Sequence, residues 1–188
     1  VGEWMRRYKV PAYDEATGKG LVRHVYVRVN RKGESLCCVV INGRQAPREP
    51  ELAAYVCAAV PHTAGVLVNS NTKRGNVILG EKYRTLWGRD YLMDTLCGLE
   101  FKLSVPSFYQ VNRDQAEALY GKALDYAGLT GRETVLDLYC GIGTITLCLA
   151  KRAGRVIGAE IVPAAIRDAK ENLSLIHISE PTRLRCIS

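Results

Sequence analysis

The sequence predicts an α+β segment followed by the opening β-α-β-α units of a Rossmann-like, doubly wound α/β sheet. Three observations carry that prediction. β-rich runs separated by short polar turns dominate the first hundred or so residues. From Pro106 on, helix-length and strand-length apolar patterns alternate. The first strand of that second part ends in "DLYCGIG", a glycine turn that leads into a helix. The chain therefore divides into an α+β domain over 1–105 and the start of an α/β domain over 106–173.

The elements follow in order. "EWMRRYK" (3–9) reads as the end of a helix, and "PAYDEATGKG" as loop. "LVRHVYVRVN" and "SLCCVVING" flank the turn "RKGE", a hairpin signal. Residues 50–60 form a helix, with Pro50 in its first turn and Leu52, Val56 and Ala59 on one face. "GVLVNSN" and "NVILG" bracket "TKRG" as a second hairpin, and short β runs follow at 82–87, 91–95 and 99–103. Residues 114–127 are an amphipathic helix with Ala116, Leu119, Ala123 and Tyr126 inward, Asp114 as N-cap and Gly128 as stop. A strand at 134–138, a helix at 144–153, a strand at 155–160 and a helix at 163–172 complete the alternation, with Pro163 opening the last helix. "SLIHISEPTRLRCIS" (174–188) breaks it, because "SEPTRLR" is neither a strand nor a good helix. That stretch resembles the translated read-through of a sequencing adapter, and a non-native tail is expected there, with a frayed but genuine tail as the alternative.

Composition narrows the class. With 47% hydrophobic and 24% charged residues, the 188-residue chain is globular rather than disordered. It has no run near the ~18 apolar residues of a membrane span, and no basic-then-apolar leader. A start at Val1 suggests that residues precede it. The formal charge of +7 and pI of about 9.1 admit a polyanionic partner such as RNA. The seven cysteines are odd in number and form no C-x-x-C pair. That argues against a disulfide framework and a self-contained zinc site, and for a reducing cytoplasm.

The glycine turn carries the chemistry. Glycines between a parallel strand and a helix let a ligand approach the backbone closely. A dinucleotide site favours G-x-G-x-x-G, but here the third position is Thr146. An acidic residue four before the first glycine, as Asp137 stands to Gly141, with Gly143 completing G-x-G, favours S-adenosylmethionine instead. Glu160 ends the next strand, where a carboxylate can accept both ribose hydroxyls. Bland readings stand beside these: a turn-capping Asp137, a solvated Glu160, and glycines that only tighten the turn.

The motifs "SFYQVN" (107–112), "DLYCGIGTI" (137–145) and "GAEIVPAAIRDAKEN" (158–172) resemble the RNA uracil-5-methyltransferase family. "VPAYDEATGKGLVRHVYVR" and "VNSNTKRGNVILG" add a likeness to its bacterial 23S rRNA branch. The resemblance implies a class I methyltransferase fold, incomplete in this chain, and S-adenosylmethionine as cofactor. It places Gln110, Tyr139, Gly141 and Glu160 at that cofactor, with Glu160 on the ribose. Helix entry for Gln110 and core packing for Tyr139 are the bland alternatives. Relatives often have Asn where Thr144 stands, so that contact is in question.

In the family a cysteine thiolate within a D-P-P-R-x-G-C segment attacks C6 of uracil, and a carboxylate base later takes the C5 proton. These 188 residues contain no such segment. The implied nucleophile and base lie outside them, and Cys140 reads as a packed turn residue. The cysteines that bind a 4Fe–4S cluster in many relatives are expected outside the chain as well. The reading is thus an internal, inactive part of a cytoplasmic, non-membrane methyltransferase acting on 23S rRNA. Two alternatives stand beside it: a tRNA uracil-C5 methyltransferase, and a non-catalytic RNA-binding module using Arg6, Arg7, Lys73, Arg74, Arg84 and Arg89.

Overall fold

The structure, a computed structural model, describes residues 1–176 and 182–186. It divides into two compact units, Val1–Leu92 and Met93–Ser188.

The first unit is a four-stranded sheet with helices. Helix α1 (Gly2–Tyr8) precedes strands β1 (Val22–Val29) and β2 (Ser35–Ile41), an antiparallel pair. Helix α2 (Glu49–Ala59) then crosses over to β3 (Thr63–Ser70), parallel to β2, and β4 (Lys82–Gly88) closes the sheet antiparallel to β3. Burial on both sides makes β2 a continuous apolar run rather than an alternating one. Trp4 of α1 and Leu52 and Val56 of α2 pack with Cys37, Val39, Ile41, Val66 and Val68. The inward face of α2 holds Ala53 rather than the expected Ala59, which is exposed.

The second expected hairpin does not form. "NVILG" is not a strand; β3 pairs instead with Lys82–Gly88. The reason is chemical. The buried Asn71 side chain donates to the carbonyls of Val77 (2.7 Å) and Ile78 (3.1 Å), and Asn69 exchanges hydrogen bonds with Gly80. These side chains take backbone groups that a ladder would need.

In the second unit the turn of the β5 (Tyr91–Leu96) and β6 (Leu99–Ser104) hairpin holds Cys97 and Gly98 at φ 53° and 70°. Left-handed backbone at both central residues suits the twist of a tight hairpin. Helix α3 (Arg113–Ala127) follows, then β7 (Thr134–Asp137), α4 (Thr144–Ala150), β8 (Arg155–Glu160), α5 (Pro163–Leu175) and β9 (Thr182–Cys186). Strands β7, β8 and β9 form one parallel sheet in that order. The β5–β6 hairpin belongs to this unit's core, where Leu96, Phe101 and Leu103 pack with Tyr120, Leu147 and Val156. The compact units change over after Leu92, ahead of the expected 105/106 boundary.

Three local readings change. The buried face of α3 is Ala116, Tyr120 and Leu124; Leu119 and Tyr126 are 60% and 83% exposed. Its N-cap is Asn112, whose side chain accepts from the Gln115 N–H at 3.2 Å, and not Asp114. Finally, the segment read as non-strand contains β9, which pairs with β8 from Val156↔Thr182 to Glu160↔Cys186. "TRLRC" alternates arginine with Thr, Leu and Cys, the period of a strand. Residues 177–181 and 187–188 of the expected tail lie outside the described residues.

Candidate functional site

The site grows from the end of β7. Gly141 and Gly143 adopt φ 55° and 87°, left-handed backbone that a side chain would strain. A Cβ on Gly143 would sit at ordinary contact distance from Leu147 and Ala169, so the positive φ rather than space asks for glycine there. A Cβ on Gly141 would meet nothing within 4 Å. The space above Gly141 is open to a ligand. Helix α4, which starts here, is a short element of 7 residues.

Asp137 holds the turn from below. Its carboxylate accepts from the Thr146 hydroxyl and from the Tyr139 N–H (3.3 Å). Asp137 is therefore a capping carboxylate, and Thr146, at the position of the missing third glycine, is its partner. Thr144 is engaged too, sharing a 3.0 Å hydrogen bond with the Tyr120 hydroxyl of α3.

Glu160 links two loops. One carboxylate oxygen accepts from the Gly141 N–H at 3.1 Å and the other from the Val162 N–H at 2.9 Å. Each oxygen keeps a further lone pair for a ligand hydroxyl. Beside Glu160 lies a cavity of about 180 Å³, walled by Phe108, Gly141, Ile142, Val162 and Asp168 among others. Of the residues singled out in the sequence, Gly141 and Glu160 line this cavity. Gln110 is half-buried and stands outside the lining. Tyr139 also stands outside it and is 88% exposed, which overturns core packing as an account of that residue.

The sequence reading missed the residues that hold this geometry. Asp168 on α5 accepts from the hydroxyls of Ser104 (2.7 Å) and Ser107 (2.9 Å), tying the "SFYQVN" segment to the helix. One turn on, the fully buried Asn172 donates to the Ile142 carbonyl (3.1 Å) and accepts from the Lys102 N–H (2.7 Å). Asn172 thus clamps the glycine turn to β6. A signal existed: Asp168 and Asn172 stand four apart, and Asn172 interrupts the apolar stripe of Ile166, Ala169 and Leu173.

Cys140 is buried under the turn and packs with Ile166 and Ala169. Burial, and then the Asp137 and Glu160 carboxylates, push its thiol up to about 12. A thiol so placed stays protonated at neutral pH and is a poor nucleophile. Among the described residues, no group of three His, Cys, Asp or Glu side chains comes together as metal ligands do, and no helix is long and apolar enough to cross a membrane.

The chain is 45% identical over 176 residues to an uncharacterized RNA methyltransferase of Halalkalibacterium halodurans, covering 93% of this chain and 38% of that protein. It is 42% identical over 181 residues to another of Listeria monocytogenes, covering 96% and 40%. The chain thus spans about two fifths of the length of these curated relatives. Among solved structures, the Pyrococcus abyssi tRNA (uracil-54, C5)-methyltransferase in complex with S-adenosyl-L-homocysteine shares the fold, with a TM-score of 0.79 at 22% identity over 100% of this chain and 44% of that one. The Methanocaldococcus jannaschii tRNA m1G37 methyltransferase gives a TM-score of 0.52 at 15% identity, over 98% and 50%. The family model for tRNA (uracil-5-)-methyltransferases matches residues 76–186, more than half of the chain, and the chain belongs to that family.

Proposed function

We propose that these residues bind S-adenosylmethionine within a protein that methylates C5 of a uridine in 23S rRNA. The observation that carries the cofactor reading is Glu160, which lines the cavity while its carboxylate bridges the glycine turn and the loop after β8. The residues fit that group. Open space lies over Gly141, the Glu160 carboxylate has acceptor capacity for ribose hydroxyls, and Phe108 and Val162 offer apolar surface to an adenine. When bound, S-adenosylmethionine supplies an electrophilic methyl group on a sulfonium. Gln110 and Tyr139 are further candidates to touch it, Tyr139 as an uncovered ring on the turn itself.

The chemistry at the base belongs to residues outside this chain. A cysteine thiolate adds to C6, C5 takes the methyl group, a carboxylate removes the C5 proton, and the thiolate leaves. Cys140 is not that thiolate. In the intact protein, Cys140→Ser is expected to keep methyl transfer within about threefold of the parent, since a thiol held near 12 contributes almost no thiolate at pH 7.5. Complete loss of transfer, with cofactor affinity intact by calorimetry, would falsify this.

The 188-residue chain itself is expected to transfer no methyl group. Incubation with radiolabelled S-adenosylmethionine and 23S rRNA should leave uracil C5 at the no-protein background. Label at C5 would place nucleophile and base inside these residues.

A tRNA substrate is the second reading. The family is named for tRNA (uracil-5-)-methyltransferases, and the Pyrococcus abyssi protein of like fold is named for uracil 54 of tRNA. Assaying the intact protein on 23S rRNA and on tRNA transcripts, with mass mapping of the methylated uridine, decides between them.

A further inference from the structure

The positive charge of the protein sits in one unit. Residues 1–92 carry fifteen Lys and Arg against eight Asp and Glu, whereas residues 93–188 carry eleven of each. The formal charge of +7 thus belongs entirely to the unit without the glycine turn. A neutral unit offers little long-range attraction to a polyanion; the first unit offers a great deal.

Within that unit lies a cleft of about 250 Å³ at the carboxyl ends of the parallel strands β2 and β3. Arg44, Lys73 and Lys82 line it, with Glu81 as its one acid. Glu81 is paired with Lys73 at 2.8 Å, both well exposed. Arg44 and Lys82 are exposed and make no ion pair among the described residues. Two of the cations first considered for RNA are already committed: Arg84 pairs with Glu49 at 2.6 Å and Arg89 with Glu34 at 2.8 Å.

The cleft is preformed. Arg23, its side chain fully buried, donates to the carbonyls of Asn71 (3.0 Å) and Lys73 (2.8 Å) and stacks 4.5 Å over the Tyr13 ring. The buried Asn69 donates to the carbonyls of Gly80 (2.9 Å) and Lys82 (3.2 Å), and Asn71 holds Val77 and Ile78 as described. Gly80 runs so close to the Ser70 carbonyl that a Cβ would lie 2.0 Å from it. Three buried polar side chains therefore pin a loop that has no ladder or helix of its own. A loop ordered in advance loses less entropy when its cations meet a ligand.

We propose that this cleft binds the phosphodiester backbone of RNA, with Arg44 and Lys82 on neighbouring phosphates and Lys73 joining them when it leaves Glu81. The inference rests on the reading that the protein acts on RNA. The lining favours that partner over a protein. Every residue in it is polar or glycine, so the apolar anchor that a protein interface needs is missing, whereas guanidinium and ammonium groups suit phosphate.

The test uses the intact protein and a fluorescein-labelled single-stranded RNA of mixed sequence, titrated between 50 and 300 mM KCl. Arg44→Ala with Lys82→Ala should weaken binding at least tenfold at 100 mM. It should also lower the slope of log affinity against log salt by about 1.4–1.8, the release of two phosphate contacts. Glu81→Gln should tighten binding by about twofold to fivefold, a gain that misfolding cannot mimic. S-adenosylhomocysteine affinity should stay unchanged in both variants. An RNA affinity within twofold of the parent with an unaltered slope overturns the proposal. So does weaker binding by Glu81→Gln, or a loss of affinity for a poly-glutamate peptide with RNA binding retained. Uridine methylation is scored separately. RNA binding that follows this pattern without any 5-methyluridine product refutes the proposed function and leaves the cleft assignment standing.

Discussion

Replacing Glu160 by alanine is expected to weaken S-adenosylmethionine binding by tenfold or more. Charge-assisted hydrogen bonds to a carboxylate are worth roughly 1.5–3 kcal/mol each, and a ribose offers two hydroxyls, so a tenfold loss is a conservative floor. Glu160 also holds the Gly141 and Val162 N–H groups, and its removal loosens both loops. The two effects separate in a double comparison. An analogue of the cofactor without ribose hydroxyls should bind the parent and the Glu160→Ala variant within about threefold, while the natural cofactor distinguishes them. Calorimetry giving equal losses for both ligands would assign Glu160 to loop support alone. Unchanged affinity for S-adenosylmethionine would remove it from the site.

Asn172→Ala is expected to cost about 3 kcal/mol of stability in the second unit. The side chain is fully buried and serves one carbonyl and one N–H from distant parts of the chain. Truncation strands both groups, at about 1–3 kcal/mol for each buried partner left unsatisfied, and leaves a small void. That is a large fraction of the ~5–15 kcal/mol by which domains are stable. Asn172→Asp should fare no better. It can still accept from Lys102 N–H, but it sets a carboxylate against the Ile142 carbonyl in a buried position. Urea titration reads the effect as a lower midpoint at an unchanged slope. A loss below about 1 kcal/mol for Asn172→Ala would mean that the clamp contributes little.

The glycine turn was legible because its requirements are local. Positive φ at Gly141 and Gly143 is written in the residue type, and so is the strand that feeds them. The order of elements from α3 to α5 was legible for the same reason: hydrophobic period and stop residues act over a few neighbours. Gly128, at φ 56°, ends α3 as expected.

What failed was whatever a distant partner decides. The inward face of α3 is set by the β5–β6 hairpin and α4 against which it packs, so Tyr120 and Leu124 are buried and Leu119 is not. The extended look of "NVILG" yields to two buried asparagines whose side chains consume its backbone groups. β9 needs the open edge of β8, a property of the sheet and not of "TRLRC". The same holds for function. The sequence by itself determined a glycine turn with a carboxylate one strand on. Only the tertiary structure decided that Glu160 bridges two loops, that Asp168 and Asn172 hold the turn from α5, and that Arg44 and Lys82 share a cleft while Arg84 and Arg89 are already paired. Backbone propensity is spent within a few residues, whereas hydrogen bonds and ion pairs are assigned by proximity that folding alone creates.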